Sequence, residues 1–173
     1  MVDPAERKAT YEDLLKVPEH LVAELIHGHL NTHPRPAPRH ARASSSLGSE
    51  LHSPFDKGSG GPGGWWILDE PELHLGEHVL VPDIAGWRRG RMPTLPETAW
   101  FERAPDWVCE ILSPDTARID RVEKLPIYAG AGVRHAWLVD PDLRTLEAFE
   151  NADRVSVAPF DATELELAVL WAD

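Results

Sequence analysis

Two stretches decide the fold: Val79-Leu80-Val81-Pro82-Asp83-Ile84-Ala85 and Trp107-Val108-Cys109-Glu110-Ile111-Leu112. Both are rich in the β-branched, aliphatic and aromatic residues that suit a pleated, half-buried surface, so both read as strands. Each carries one carboxylate with apolar residues on either side. In a strand, Glu110 points away from Cys109 and Ile111 and shares a face with Val108 and Leu112. A carboxylate loses its hydration when buried, so such groups are paired, protonated or bound to a cation. A strand end, or an arginine partner, would satisfy Asp83 and Glu110 as well as a metal ion would. Pro82 has no N–H for a ladder and is tolerated where a strand begins or lies at a sheet edge.

The first run is expected to continue as one strand to Trp87, and outward from the two, further short strands are expected over 65–68, 136–139, 146–149 and 155–157, with Asp140-Pro141-Asp142 as a hairpin turn. Residues 21–26 alternate loosely, turn at His27-Gly28 and resume at His29-Leu30, a hairpin in which Gly28 can take a positive φ. Thr10, with Asp13 three residues on, caps a helix over 11–16 that Pro18 ends. A second helix is expected over 39–51, where Leu47 and Leu51 share a face, and a third over about 120–131. Pro126 makes the third helix start late or kink. Five of the seven residues 58–64 are glycine, a loop without the Gly-Lys-Ser/Thr ending of a phosphate cradle. The sum is a single mixed α/β (α+β) domain over 1–173, a sheet flanked by helices in which the strands mostly meander and one connection is a helical crossover.

The chain has 173 residues, 42% hydrophobic and 27% charged, values of a globular domain and not of a disordered chain. No run approaches the roughly 18 apolar residues of a transmembrane helix, and residues 1–8 lack the apolar core of a signal peptide. A cytoplasmic location is expected. The single cysteine, Cys109, excludes an intrachain disulfide and a multi-cysteine zinc site. Seventeen Lys+Arg against 29 Asp+Glu leave a net charge of −12, which opposes general coating of nucleic acid. Local basic groups do occur, at Arg35, Arg39 and Arg42 and again at Arg88, Arg89 and Arg91.

Lys124 follows the Glu110 strand, with Tyr128 one turn later on the same helical face. Two strand carboxylates and a lysine, in the order Asp, Glu, Lys, form a nuclease constellation. Carboxylates are hard ligands for Mg²⁺, which takes one or two of them and keeps several waters. A bound ion acidifies a water and offsets phosphate charge, and a lysine can orient that water or stabilise the pentacovalent transition state. Otherwise Lys124 would be a surface partner of Asp120 at i−4, worth about a few tenths of a kcal/mol.

The same order of motifs extends over most of the chain. It runs through Tyr11-Glu-Asp-Leu-Leu, Glu24-Leu-Ile-His-Gly-His-Leu, His40 opening an apolar helix, and Val81-Pro-Asp-Ile-Ala. It continues through Val108-Cys-Glu-Ile-Leu-Ser-Pro, Asp120-Arg-Val-Glu-Lys-Leu-Pro-Ile-Tyr-Ala, Gly132-Val-Arg-His-Ala-Trp-Leu-Val-Asp-Pro and Leu165-Glu-Leu. In these residues the sequence resembles the Uma-two family of bacterial restriction-endonuclease-like proteins, within the PD-(D/E)XK nuclease superfamily. The resemblance implies a restriction-endonuclease-like curved mixed sheet with helices on its faces, and a metal-dependent endonuclease acting on phosphodiester bonds. It makes Asp83 the Pro-Asp aspartate and Glu110 the acid of the second half-motif. The superfamily's lysine stands two residues later, where this chain has Leu112, so Lys124 on the following helix is implied as its substitute. Glu24 matches an early acidic residue brought to the metal, and the Ile111 carbonyl an additional ligand to Mg²⁺ or Mn²⁺. The implied partners are nucleic acid, DNA first, and a second copy of the chain in a homodimer, with no membrane.

His40 can approach the phosphate or the attacking water, and Tyr128, Arg88 and Arg89 are further candidate substrate contacts, the arginines beside Trp87. Trp87 itself reads as core or as a base-stacking ring. His27 and His29 bracket a turn and can bind zinc, but Gly28 between them suits a tight turn equally. Cys109 reads as a core thiol. The rival to an enzyme is a non-catalytic nucleic-acid-binding or interaction module on the nuclease fold. Acidity and Leu112 favour that rival; the intact Asp83, Glu110 and Lys124 oppose it. In a third reading the carboxylates only neutralise buried arginines.

Overall fold

A computed structural model describes residues 7–150 and 170. The Asp13 N–H donates to the Thr10 hydroxyl while the Asp13 carboxylate accepts from the Thr10 N–H, and this reciprocal cap opens α1 (Tyr11–Leu14). β1 (Leu21–Ile26) and β2 (His29–Pro34) form the expected hairpin. Its two-residue turn has φ of 52° at His27 and 79° at Gly28, the pair of positive angles whose twist matches the flanking strands. Pro38 begins α2 (Pro38–Leu51), which continues as a π-helical turn over His52–Asp56. Next come β3 (Trp65–Asp69), β4 (Leu73–Leu75), β5 (His78–Leu80), β6 (Ile84–Arg88) and β7 (Trp107–Ile111). α3 (Ala117–Ile119), a π-helical turn (Asp120–Lys124) and α4 (Leu125–Gly130) run on from one another. β8 (His135–Asp140) and β9 (Thr145–Glu150) follow, joined by the expected turn, in which Asp140 Oδ1 accepts from the N–H groups of Asp142 and Leu143 at 3.0 and 2.8 Å.

The strands form two sheets. One is antiparallel, in the order β2-β1-β5-β4; the other runs β3-β6-β7-β8-β9 and is antiparallel except for the parallel pair β7–β8. The helical stretch from Ala117 to Gly130 is the one helical crossover between parallel neighbours among the described residues, as a parallel pair requires. The meander with a single helical crossover is therefore present, but the single strand expected over 79–87 is not. The chain leaves the first sheet at Leu80 and enters the second at Ile84. Pro82 cannot donate to a ladder, and the Val81 N–H donates to the Glu24 carboxylate at 2.8 Å in place of a strand partner. β4 was not anticipated, and the strand expected over 155–157, like Leu165-Glu-Leu, lies outside the described residues.

Pro126 does not delay the third helix, which already runs from Ala117. The Leu125 N–H reaches back to the Asp120 carbonyl, so the helix widens by one residue just before the proline. That moves the backbone a proline ring would otherwise strike.

Alternation along the strands sorts the core into two faces. Trp107, Cys109 and Ile111 of β7, with Trp65, Ile67, Ile84, Trp137 and Val139, pack under Ala43, Leu47, Leu51 and Phe55 of α2 and its π turn. Burying a Leu or Phe side chain contributes about 1.5–3 kcal/mol, so this face anchors α2. On the opposite face Val108, Ala85 and Trp87 meet Ile127 and Tyr128 of α4 and Ile26, Leu73, Leu75 and Leu80 of the first sheet. Glu110 points to this second face, as the period of two requires.

Candidate active site

β6 and β7 pair with Ile84 opposite Cys109 and Gly86 opposite Trp107. Continued by one residue, that register sets Asp83 across from Glu110 at the end of the sheet. Two like charges in such a cross-strand position repel one another unless something cationic lies between or beside them. Asp83 Oδ2 accepts from the Ile111 N–H at 2.7 Å, and Asp83 Oδ1 lies 3.3 Å from His40 Nε2, in the first turn of α2. Glu110 Oε1 accepts from the Tyr128 hydroxyl at 2.5 Å and lies 3.4 Å from Lys124 Nζ.

Lys124 is the hub. Its ammonium lies 2.8 Å from Glu24 Oε1, 3.2 Å from Asp120 Oδ1 and 3.4 Å from Glu110 Oε1, and Lys124, Glu24, Glu110 and Asp120 are all at most 3% exposed. One ammonium thus serves three buried carboxylates, with Asp83 beside them. Burial pushes the Glu110 pKa well above its usual range; Lys124 pulls it down, but Asp120, Asp83 and Glu24 push it further up. Asp120 is raised too, first by burial, against the opposing pull of Lys124. Burial works against the lysine charge, yet Glu110, Glu24 and Asp120 outweigh it and hold Lys124 well above its ordinary value. Burial likewise lowers His40, but the hydrogen bond and charge of Asp83, the Ile111 backbone and the Asp120 charge turn the net shift upward.

Asp83, Glu110, Asp120, Lys124, His40 and His33 line one cleft, floored by Val81 and walled by the Ser113–Thr116 turn. Of the residues singled out in the sequence, Asp83, Glu110, Lys124, Glu24, Ile111, His40 and Tyr128 are therefore brought together. Tyr128 is 1% exposed and lies beneath Glu110, not in the cleft. Arg88 and Arg89 are not brought there, because they stand at the other end of β6. Arg88 lies over Trp65; Arg89 pairs with Asp56 at 2.7 Å and lies over Trp66. Trp87 is core, fully buried and stacked on Phe101. Cys109 is buried, and burial raises its thiol pKa, so it is no nucleophile.

Sequence reasoning missed Asp120, read as a surface partner of Lys124. The π turn that holds both residues carries them into the interior together, and Pro126 two residues beyond was the available signal. His33, which the sequence offered only as a neighbour of the zinc-candidate pair His27 and His29, has its Nε2 3.9 Å from Glu24 Oε2.

Residues 9–171 match the Uma2 family, described as "putative restriction endonuclease". The chain belongs to the Uma2 family. Among solved structures it is similar to a crystal structure titled as "a putative nuclease belonging to DUF820" from Anabaena variabilis ATCC 29413. The two are 27% identical over 94% of this chain and 97% of that one, with a TM-score of 0.72. No curated protein matches. The mixed α+β, nuclease-like fold expected from the sequence is thus borne out. Within this Uma2 chain, no helix among the described residues is long and apolar enough to cross a membrane.

Among the described residues, no three His, Cys, Asp or Glu side chains are arranged to hold a metal ion. That excludes a zinc-like cage, including one on His27 and His29. The cluster's own chemistry fits a hard divalent cation, which takes carboxylate oxygens, since its four carboxyl groups outnumber the one ammonium and the two imidazoles, His40 and His33, beside them.

Proposed function

We propose that the protein is a divalent-metal-dependent nuclease that hydrolyses phosphodiester bonds of nucleic acid at the Asp83–Glu110 cleft. One observation carries this reading: Asp83, one residue before β6, and Glu110 of β7 lie at the same end of the sheet, in a buried cluster with more carboxyl groups than Lys124 can pair. Asp83, Glu110 and the Ile111 carbonyl would hold Mg²⁺ or Mn²⁺. Bound there, the ion would acidify a water and offset the charge of a phosphate.

The chain's own groups have separable tasks. Asp83 is fixed by the Ile111 N–H on one oxygen and by His40 on the other. Glu24 holds Lys124 and the Val81 N–H on the same oxygen, so it ties the lysine to the segment that carries Asp83. Lys124 lines the cleft and presents its charge toward an incoming phosphate and the attacking water. Leu112, at the superfamily's usual lysine position, is buried and its N–H continues the ladder to the Val139 carbonyl, so the cation is supplied from the crossover helix instead.

A second reading is favoured by the engagement of Lys124 with three carboxylates: a non-catalytic module that keeps the fold and neutralises its own acids. Calorimetric titration of Mn²⁺ and Mg²⁺ separates the two, with wild type beside Asp83→Ala and Glu110→Ala. The nuclease reading expects binding that both variants lose, and metal-dependent cleavage in a panel of DNA and RNA substrates. Absence of binding through millimolar metal, with no cleavage, overturns it in favour of the module.

A further inference from the structure

Four basic side chains line the cleft: His33, Arg35, His40 and Lys124. Three are turned toward the carboxylates within it. Lys124 serves Glu24, Glu110 and Asp120, His40 faces Asp83, and His33 faces Glu24. Arg35 is different. Its side chain is 56% exposed, and its one ion pair among the described residues is a 3.4 Å contact with Glu70, itself 44% exposed. A pair this open to water is screened and readily exchanged for another anion.

Arg35 and Glu70 occupy a particular place. Together with Val22 and Val81 they line both the cleft and a second, shallower groove that runs along Leu14, Pro18 and Leu21. The ion pair therefore bridges the ridge between the two openings. Arg35 is held over that ridge by a 3.1 Å hydrogen bond to the Glu19 carbonyl. Glu70 is held there by its backbone, with φ of 46° and an N–H that donates to the Asp83 carbonyl at 3.0 Å. A left-handed conformation is unusual for glutamate, and strain of this kind gathers at binding sites.

We propose that Arg35 is the residue that grips the phosphate backbone at the mouth of the cleft, and that Glu70 is the anion a nucleic-acid strand must displace to lie across both grooves. This rests on the nuclease reading for the strand's purpose, but not for the contact itself. An arginine fork suits a phosphate in two-point geometry. In a chain of net charge −12, an internal competitor for that fork also keeps the cleft shut to weakly held polyanions.

The test is binding of a short fluorescein-labelled single-stranded DNA, and of its duplex, by fluorescence anisotropy, with Ca²⁺ in place of Mg²⁺ and again in EDTA. Arg35→Ala should weaken binding by roughly tenfold, the scale of one charge-assisted contact. It should also flatten the dependence of log K on log salt by about 0.7 for the single strand. Glu70→Gln should move the other way and tighten binding several-fold. The double variant should match Arg35→Ala, since the competitor matters only through the arginine. Thermal midpoints identify any variant that has lost its fold, and Arg35→Lys, which keeps charge without the fork, should recover only part of the affinity. Unchanged binding in Arg35→Ala, weaker binding in Glu70→Gln, or no binding by wild type in either buffer overturns the proposal. Arg35-dependent binding without any metal binding at Asp83 and Glu110 would sustain this contact and defeat the nuclease reading instead.

Discussion

The Lys124 ammonium lies 2.8 Å from Glu24 Oε1, with both side chains almost fully buried. This one contact joins the crossover helix of the five-stranded sheet to the hairpin of the four-stranded sheet, beside the Val81-Pro82-Asp83 segment that passes between them. Catalytic candidates and fold thus share a buried ion network. Its charges are expected to govern stability as well as chemistry.

Removing the hub should show this directly. Lys124→Met keeps the length of the stem but leaves Glu24, Glu110 and Asp120 without their shared cation. Breaking a buried pair from one side costs about 3–5 kcal/mol, and urea unfolding in EDTA at neutral pH should register a loss of that order. Adding Mn²⁺ should return part of it, because an ion bound to the native state stabilises it by mass action. A variant as stable as wild type in EDTA would mean that the carboxylates are already protonated and Lys124 is dispensable.

Tyr128 tests the floor of the site. Its hydroxyl donates to Glu110 at 2.5 Å and both groups are buried. Tyr128→Phe keeps the ring in the core and removes only this donor. Leaving a buried acceptor without its donor costs about 1–3 kcal/mol, so unfolding should be easier by that amount. Metal affinity should shift as well, since Glu110 loses the donor that orients it. A neutral result in both measurements would assign Tyr128 to packing alone.

The metal-free protein should lose stability as pH rises above the ordinary carboxylate range, on account of Glu110. Its folded pKa is raised well above the ordinary value, so the native state binds the proton more tightly than the unfolded chain. Its contribution is therefore full at acid pH and falls from the unfolded carboxylate value, about 4.3, up to the raised folded value, by at most about 1.4 kcal/mol per pH unit. Asp120, also raised, adds to the same slope. Lys124 acts at the other end. Its raised pKa makes its contribution full below the unfolded lysine value, about 10.4, and lost only as pH climbs through the folded one. Glu110→Gln imitates the protonated acid, so it should flatten the slope above the ordinary carboxylate value and gain on wild type as pH rises. Parallel profiles for the two proteins would refute the assignment.

Much of this site was legible because charge in an apolar strand is conspicuous. Asp83 and Glu110 stand out against Val, Leu, Ile, Trp and Cys, and the alternation around Glu110 gave its face correctly. Lys124 was singled out by following the two strand carboxylates, whereas Glu24 came only through the family resemblance, since it breaks no local pattern. What could not be read depended on backbone departures from regular periods. A proline cut one apparent strand into two sheets at Val81-Pro82-Asp83. A widened helical turn took Asp120 inward, where a regular helix suggested a surface pair. The Arg35–Glu70 contact joins residues 35 apart in sequence through a left-handed backbone at Glu70 that nothing in the sequence marks.

The five-stranded sheet itself makes a last prediction, at Gly86 in the middle of β6. Glycine within a strand often marks a close approach, and here the neighbours are two tryptophans. A Cβ built on Gly86 would stand 3.2 Å from Ile67 Cδ1 and 3.3 Å from ring carbons of both Trp65 and Trp107. All three are core residues beneath α2, so none can swing into solvent. Gly86→Ala would gain about 0.4–1 kcal/mol from a less flexible unfolded chain, whereas crowding a packed core costs about 1–3 kcal/mol. Crowding should win, and the thermal midpoint should fall. Gly90 is the matched comparison, with no atom within 4 Å of its Cβ position and no positive φ. There the entropic gain stands alone, so Gly90→Ala should be neutral or slightly stabilising. If the two alanines behave alike, the ring packing over Gly86 is looser than these contacts require.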